Sequence, residues 1–128
     1  MTNPMRQHGA FSWNELVTSD IEGAKAFYKT MFGWQCEDVD GDMPYTMAKI
    51  GNQEVAGLMA TTPECAEMPP MWGGYITVED VDASAKKCES LGGKILVEAR
   101  DIPNVGHFCV MTDPQGAMIT IITYLATA

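Results

Sequence analysis

The chain is sparing with the side chains that do metal and nucleophile chemistry. It has two histidines, His8 and His107, and four cysteines, Cys36, Cys65, Cys88 and Cys109. No Cys-x-x-Cys pair is present, and neighbouring cysteines are more than 20 residues apart, so a zinc ribbon or a thioredoxin-type site has no support. A nucleophilic thiol needs a basic partner and a lowered pKa, and no local signature offers either. The cysteines read as reduced, small core residues, Cys88 on a helical stripe and Cys109 in a strand. The opening Met1 to Gly9 is polar and reads as a loose arm, in which His8 reads as solvent-exposed. His107 opens a strand after Gly106 and reads as a surface or structural histidine, the alternative being a place at a cleft mouth. No spacing supports a metal site built from His8, His107 and Glu15. The stronger signal is Phe11-Ser-Trp-Asn-Glu-Leu-Val17, where alternation puts Phe11, Trp13, Glu15 and Val17 on one face of a strand. Trp13 offers a stacking or cation–π face. Glu15 offers a cation-binding carboxylate, or a general base if burial raises its pKa. The plainer readings are core packing for Trp13 and a structural carboxylate for Glu15.

Those residues need elements to hold them. Ser19-Asp-Ile-Glu22 has the spacing of a capping box, and Ile21, Ala24, Phe27, Tyr28 and Met31 follow as a helical stripe that ends at Gly33. The stripe predicts a helix packed on the Leu16 side of the first strand, leaving Trp13 and Glu15 on the other. Residues 34–39, 45–50 and 54–60 read as strands, with a turn at Gly41-Asp-Met-Pro44 and a hairpin at Gly51-Asn52. Residues 61–70 carry three prolines and read as a connection. The pattern then recurs. A strand over 73–78 alternates Tyr75 and Thr77 with Ile76 and Val78. Asp80 caps a helix with the stripe Val81, Ala85, Cys88 and Leu91, which Gly92-Gly93 ends. Strands over 94–98, 107–112 and 117–124 follow, the last two joined at Asp113-Pro-Gln-Gly116. The halves align at an offset of about 60 residues: Asp20 falls on Asp80, Met31 on Leu91 and Gly33 on Gly93. The sequence therefore predicts an α+β protein of two βαβββ modules in tandem, with curved mixed sheets around a cleft that is the expected ligand site. All of 1–128 is one domain, with module 1 over about 9–60, a connection over 61–71 and module 2 over about 72–126.

Composition narrows the partners. The chain is 46% hydrophobic and 20% charged, so 128 residues can bury a core. A net charge of −9 with scattered bases gives no electrostatic footprint for nucleic acid or an anionic membrane. No apolar run approaches the ~20 residues of a membrane helix, and the opening MTNPMRQHGA has no secretory apolar core, so a cytoplasmic location is expected. Most of the ten methionines read as core filler, while Met5, Met43, Met68 and Met71 fall in expected loops and are candidates for an interface or ligand mouth.

Read in order, Asp20 with Ala26-Phe27-Tyr28 and Phe32-Gly33-Trp34, then Val81-Asp82 with Leu91-Gly92-Gly93, then Asp113-Pro114-Gln115-Gly116-Ala117, resemble the vicinal oxygen chelate superfamily of glyoxalase I, bleomycin-resistance proteins and extradiol dioxygenases. The resemblance covers residues 9 to 124. Trp13-Asn-Glu-Leu16, Phe32-Gly33-Trp34 and Gly57-Leu58 are similar to a hydroxylase-like or glyoxalase-like branch. The resemblance implies the paired-module fold and, in the metal enzymes, histidine and glutamate ligands on the first and last strands of each module. Here those positions are Trp13, Gly73, Thr120 and a residue within Gly57 to Met59. None of these side chains suits a hard or borderline divalent ion, so no metal and no other cofactor is expected.

Residues sharing the face of the absent ligands are then Trp13, Glu15, Tyr75, Thr77, Met118, Thr120 and Ile122. The threonines also read simply as β-branched strand residues. The expected function is binding of a small organic ligand, apolar, aromatic or cationic, without metal. The alternatives are a glyoxalase-like isomerase, lyase or hydroxylase with Glu15 as base or an atypical metal site, and an interaction module whose cleft is filled by side chains. A homodimer is expected, because proteins of this kind commonly pair and two-fold pairs are the commonest oligomers. Met68, Met71 and Trp72 are candidate contacts, the equal alternative being packing inside one chain.

Overall fold

A computed structural model describes residues 3–39, 45–61, 67, 69–102 and 105–125. The expected turn at Gly41–Pro44, most of the connection, Cys65, Met43 and Met68 lie outside the described residues. Among the described residues there are eight strands, two α-helices and one 3-10 turn, in two successive β-α-β-β-β runs. They form two compact units, Trp13–Gly73 and a second built from Gly74 onward with the N-terminal segment through Ser12.

The first unit holds most of β1 (Phe11–Thr18), then α1 (Ile21–Phe32), β2 (Gln35–Val39), β3 (Tyr45–Ile50) and β4 (Gln53–Ala60). Its strand order is β2-β3-β4-β1, antiparallel except for the parallel β1–β4 pair, which needs a long crossover. Gly51, at φ 60°, makes the β3–β4 hairpin as expected. Leu16, Ala48, Ala56 and Leu58 form the buried cluster, with Ala24 and Tyr28 of α1 packed on it. The helix thus covers the Leu16 side, as its stripe predicts. The stripe itself is narrower than expected: Phe27 is 55% and Met31 57% exposed. The cap also differs. Asp20, not Ser19, accepts the Gly23 amide at 2.9 Å, because a carboxylate one residue nearer to the first turn reaches an orphan N–H directly.

The second unit holds β5 (Met71–Thr77, largely), α2 (Val81–Ser90), β6 (Lys94–Ile102), β7 (Gly106–Thr112) and β8 (Met118–Tyr124). Its order, β5-β8-β7-β6 with β5–β8 parallel, repeats that of the first unit. Asp80 caps α2 through the Ala83 amide as expected. Val81, Val78, Cys109 and Ile121 are its core, with Ala85 packed against it. Leu91, expected in that stripe, is 67% exposed, because it is the C-cap and lies past the helix proper. β6 runs four residues beyond the expected Glu98, to Ile102, held by an irregular register with β7. At the Asp113 turn the carboxylate accepts the Gln115 and Ala117 amides, both at 2.9 Å.

The N-terminal arm is not loose in its described part. Pro4–Arg6 is a 3-10 turn capped by Asn3. Gly9 N–H donates to Thr77 O at 2.7 Å, Thr77 N–H donates to Ala10 O at 2.9 Å, and an Arg6 guanidinium nitrogen donates to Leu125 O at 2.8 Å. His8 is exposed as expected, yet its Nδ1 accepts the Glu79 amide at 3.0 Å.

Candidate functional site

In the first unit, alternation and register assemble one face opposite the helix. Glu15 lies across from Gly57, and Gly57 across from Met47; Val17 lies across from Met59, and Met59 across from Tyr45. Leu16 and Leu58, one residue along each strand, point into the helix-packed core. Trp13, Glu15, Tyr45, Met47 and Met59 therefore share the other face. Glu15 is buried, while Trp13, Tyr45, Met47 and Met59 are half-buried. Trp13 Nε1 donates to the Tyr45 hydroxyl at 3.1 Å. The Tyr45 ring lies over Gly57, where any Cβ would collide with its hydroxyl and ring.

In the second unit, Tyr75 pairs with Thr120 and Thr77 with Ile122, so the members of the expected set that belong to this unit lie on adjacent strands, while Trp13 and Glu15 belong to the first unit. Tyr75, Thr77, Thr120 and Ile122 are buried and Met118 is half-buried. The Thr77 hydroxyl is engaged by the arm, donating to Pro4 O at 2.8 Å. Tyr124 continues the same alternation, and its hydroxyl sits 2.8 Å from Ser12 Oγ. One further step from Ile122 reaches Tyr124 in the sequence. Tyr45 is out of reach there, because its place over Gly57 depends on register with β4.

Two crevices, of about 140 and 210 Å³, are lined respectively by residues around Arg6, His8 and Glu79 and by residues around Glu22, Asp38 and Tyr45. Trp13 and Glu15 line neither. Burial in the helix-packed cores pushes the Cys109 and Cys36 thiols up, which disfavours the nucleophilic thiolate. Among the described residues no three His, Cys, Asp or Glu side chains converge as a metal-holding group.

His107 is tied into the fold through both ring nitrogens. Its Nδ1 lies 2.7 Å from Asp101 and its Nε2 3.2 Å from Asp82, joining β7 to β6 and to the start of α2. The Asp101 hydrogen bond, then that of Asp82, holds its pKa above the ordinary value of 6.5. A raised folded-state pKa stabilises the fold fully below the unfolded value and loses that contribution as pH rises through the folded value. The two carboxylates are exposed, so the effect is at most about 1 kcal/mol. Wild type should exceed His107→Gln in urea midpoint at pH 5.5, with the gap closing by pH 9. An equal gap at both pH values contradicts this.

The sequence profile of the Glyoxalase/Bleomycin resistance protein/Dioxygenase superfamily matches residues 10–121. A Mycobacterium tuberculosis protein named "Putative glyoxylase CFP32" is 36% identical over 120 residues, spanning 92% of this chain and 45% of that protein. "Anthracycline biosynthesis protein DnrV" of Streptomyces peucetius is 28% identical over 127 residues, spanning 88% and 46%. The chain thus spans about half the length of these relatives. Among solved structures, a single-residue variant of the Streptomyces coelicolor methylmalonyl-CoA epimerase, in complex with 2-nitronate-propionyl-CoA, has TM-score 0.67 at 17% identity, covering 94% of this chain and 97% of that one. The Mycobacterium tuberculosis methylmalonyl-CoA epimerase has TM-score 0.61 at 18% identity, covering 89% and 86%. At these identities the likeness is one of fold.

Proposed function

The chain belongs to the Glyoxalase/Bleomycin resistance protein/Dioxygenase superfamily, and from that we propose that it binds a small apolar or aromatic organic ligand, with or without a cationic group, and without a metal. The observation that carries this reading is the first unit's helix-free face, where Trp13 and Glu15 lie among half-buried Met47 and Met59. An apolar surface with one carboxylate suits such a ligand. The name of the anthracycline-biosynthesis relative supports an aromatic one.

A metal, present in many proteins this chain resembles, does not fit the side chains at the corresponding positions. Trp13 gives its N–H to Tyr45, the space at Gly57 is taken by the Tyr45 ring, Gly73 has no side chain, and Thr120 offers only a buried hydroxyl. A second reading makes Glu15 a general base. Its support is a carboxylate buried at 7% exposure on the face proposed to bind the ligand, where a base must sit to reach a substrate proton, together with the glyoxylase name of a relative.

One experiment addresses both. Elemental analysis of the purified protein should find well under one equivalent of divalent metal. The best hit of a thermal-shift screen of aromatic and cationic compounds is then titrated into wild type, Trp13→Ala and Glu15→Gln. Losing the aromatic face should weaken binding by about 1–2 kcal/mol. With Glu15→Gln, a fall in affinity marks a cation partner, and a fall in turnover with affinity kept marks a base. Stoichiometric metal, or unchanged behaviour of both folded variants, overturns the reading.

We also propose a cytoplasmic homodimer. Relatives about twice as long leave room for a second similar stretch in one polypeptide, and a two-fold pair would supply the same with this chain alone. Light scattering should give twice the chain mass; a monomer mass at every dilution contradicts it.

A further inference from the structure

We propose that Tyr45 is a binding residue of this site and that Gly57 is the position that admits it, so that a planar aromatic ligand is received by a hydrogen-bonded Trp13–Tyr45 pair. The inference rests on the reading of this face as the binding face and adds the residues that set its selectivity.

Glycine within a strand weakens it and usually marks a close approach. At Gly57 the cause is space rather than backbone conformation. The positive-φ glycines among the described residues are Gly9, Gly33, Gly51, Gly92 and Gly116; Gly57 is not one of them. What an added Cβ would meet is the hydroxyl and ring of Tyr45. Tyr45 is across from Met59 in register, yet its side chain runs along β4 to lie over Gly57, two residues away. There its hydroxyl accepts the Trp13 N–H at 3.1 Å, giving a half-buried indole the partner it needs.

The two rings are therefore fixed to one another before any ligand arrives, and that pre-organisation lowers the entropic cost of binding. Neither ring is sealed in a core as Leu58 is, at 0% exposure; both remain half-buried. Met47 and Met59 flank them, soft side chains that adapt to flat aromatic surfaces. Two fixed aromatic rings with thioethers beside them recognise a planar conjugated molecule by stacking, with the carboxylate of Glu15 across from Gly57 favouring a positively charged one.

The probe for a test is 9-aminoacridine, planar and cationic at neutral pH, followed by its own fluorescence. Wild type should bind it saturably, and Trp13→Ala should bind it more weakly. Tyr45→Ala, which removes the ring, and Gly57→Ala, whose methyl displaces the ring, should each weaken it about five- to tenfold. Tyr45→Phe should fall between them and wild type. Because only the far end of a tyrosine blocks the methyl, Gly57→Ala is expected to fold. If circular dichroism shows that it does not, the double variant Gly57→Ala/Tyr45→Ala makes the room, and Tyr45→Ala alone decides the binding arm. If Trp13→Ala loses the probe while folded Tyr45→Ala keeps wild-type affinity, the face is a binding face and the assignment of Tyr45 is overturned. If wild type fails to bind, or no variant including Trp13→Ala changes binding, the underlying reading of the face is overturned with it.

Discussion

Leu58→Ala is expected to lower unfolding stability by about 2–5 kcal/mol, the cost of removing a buried leucine and leaving a cavity. Leu58 has no exposed surface, and in β4 it lies between Leu16 of β1 and Thr46 of β3. Both neighbours are in paired strands whose backbones cannot close on the gap without breaking register, so little relaxation is available. Small domains are stable by only about 5–15 kcal/mol, so the loss should be plain in urea midpoint with an unchanged slope. The adjacent Gly57 points to the opposite face. The affinity of the remaining folded fraction for a ligand at Trp13 should therefore survive. A loss of affinity as large as that of Trp13→Ala would mean that the two faces of β4 are coupled, contrary to the separation drawn between core and site.

Much of this arrangement is legible in the residues alone, and the reasons differ between elements. Two β-α-β-β-β runs can be read because punctuation is strong: Asp80 at a helix start, Gly33 and Gly92 at helix ends, and Asp113 at a tight turn. The face of Trp13 and Glu15 follows from strand period and from the helix taking the other side. Failures come where contact outside the local pattern decides. The arm looks loose because its composition is polar, yet backbone bonds to Thr77 and the Arg6 side-chain bond to Leu125 O pin it. Phe27, Met31 and Leu91 fit an apolar stripe but stand exposed, since a period fixes an angle and not the width of the surface that the sheet covers. Tyr45 is invisible as a site residue for a related reason. Only the pairing of β3 with β4 brings it to Gly57, and pairing register is not written in either strand by itself.

Tyr28→Ala is expected to cost about 2–4 kcal/mol, whereas Phe27→Ala, one residue away, should cost under about 1 kcal/mol. The contrast follows from what each ring touches. Tyr28 is the hub of an aromatic group: it stacks on Trp34 at 5.1 Å and on Phe32 at 6.0 Å, and meets Trp72 edge-on at 5.5 Å and Phe27 edge-on at 5.0 Å. Its hydroxyl also accepts the Trp72 Nε1–H at 3.0 Å. It packs on the buried cluster of Leu16 and Leu58, so its loss opens a cavity between α1 and the strands. Among the aromatic rings of the described residues Phe27 meets Tyr28 alone, and it is 55% exposed. Each aromatic pair is worth about 0.5–1.5 kcal/mol beyond burial, so the sum at Tyr28 outweighs its half-buried state. Tyr28→Phe separates the terms: it keeps the ring contacts and gives up the Trp72 hydrogen bond, and should cost about 1 kcal/mol. The consequence reaches the site through β1. Tyr28 holds α1 against Leu16, and Leu16 adjoins Glu15, so loosening the helix should raise amide exchange along Trp13–Val17 before the rest of the unit unfolds. Exchange that stays as slow in Tyr28→Ala as in wild type would show that β1 is held by its pairing with β4 and owes nothing to the helix.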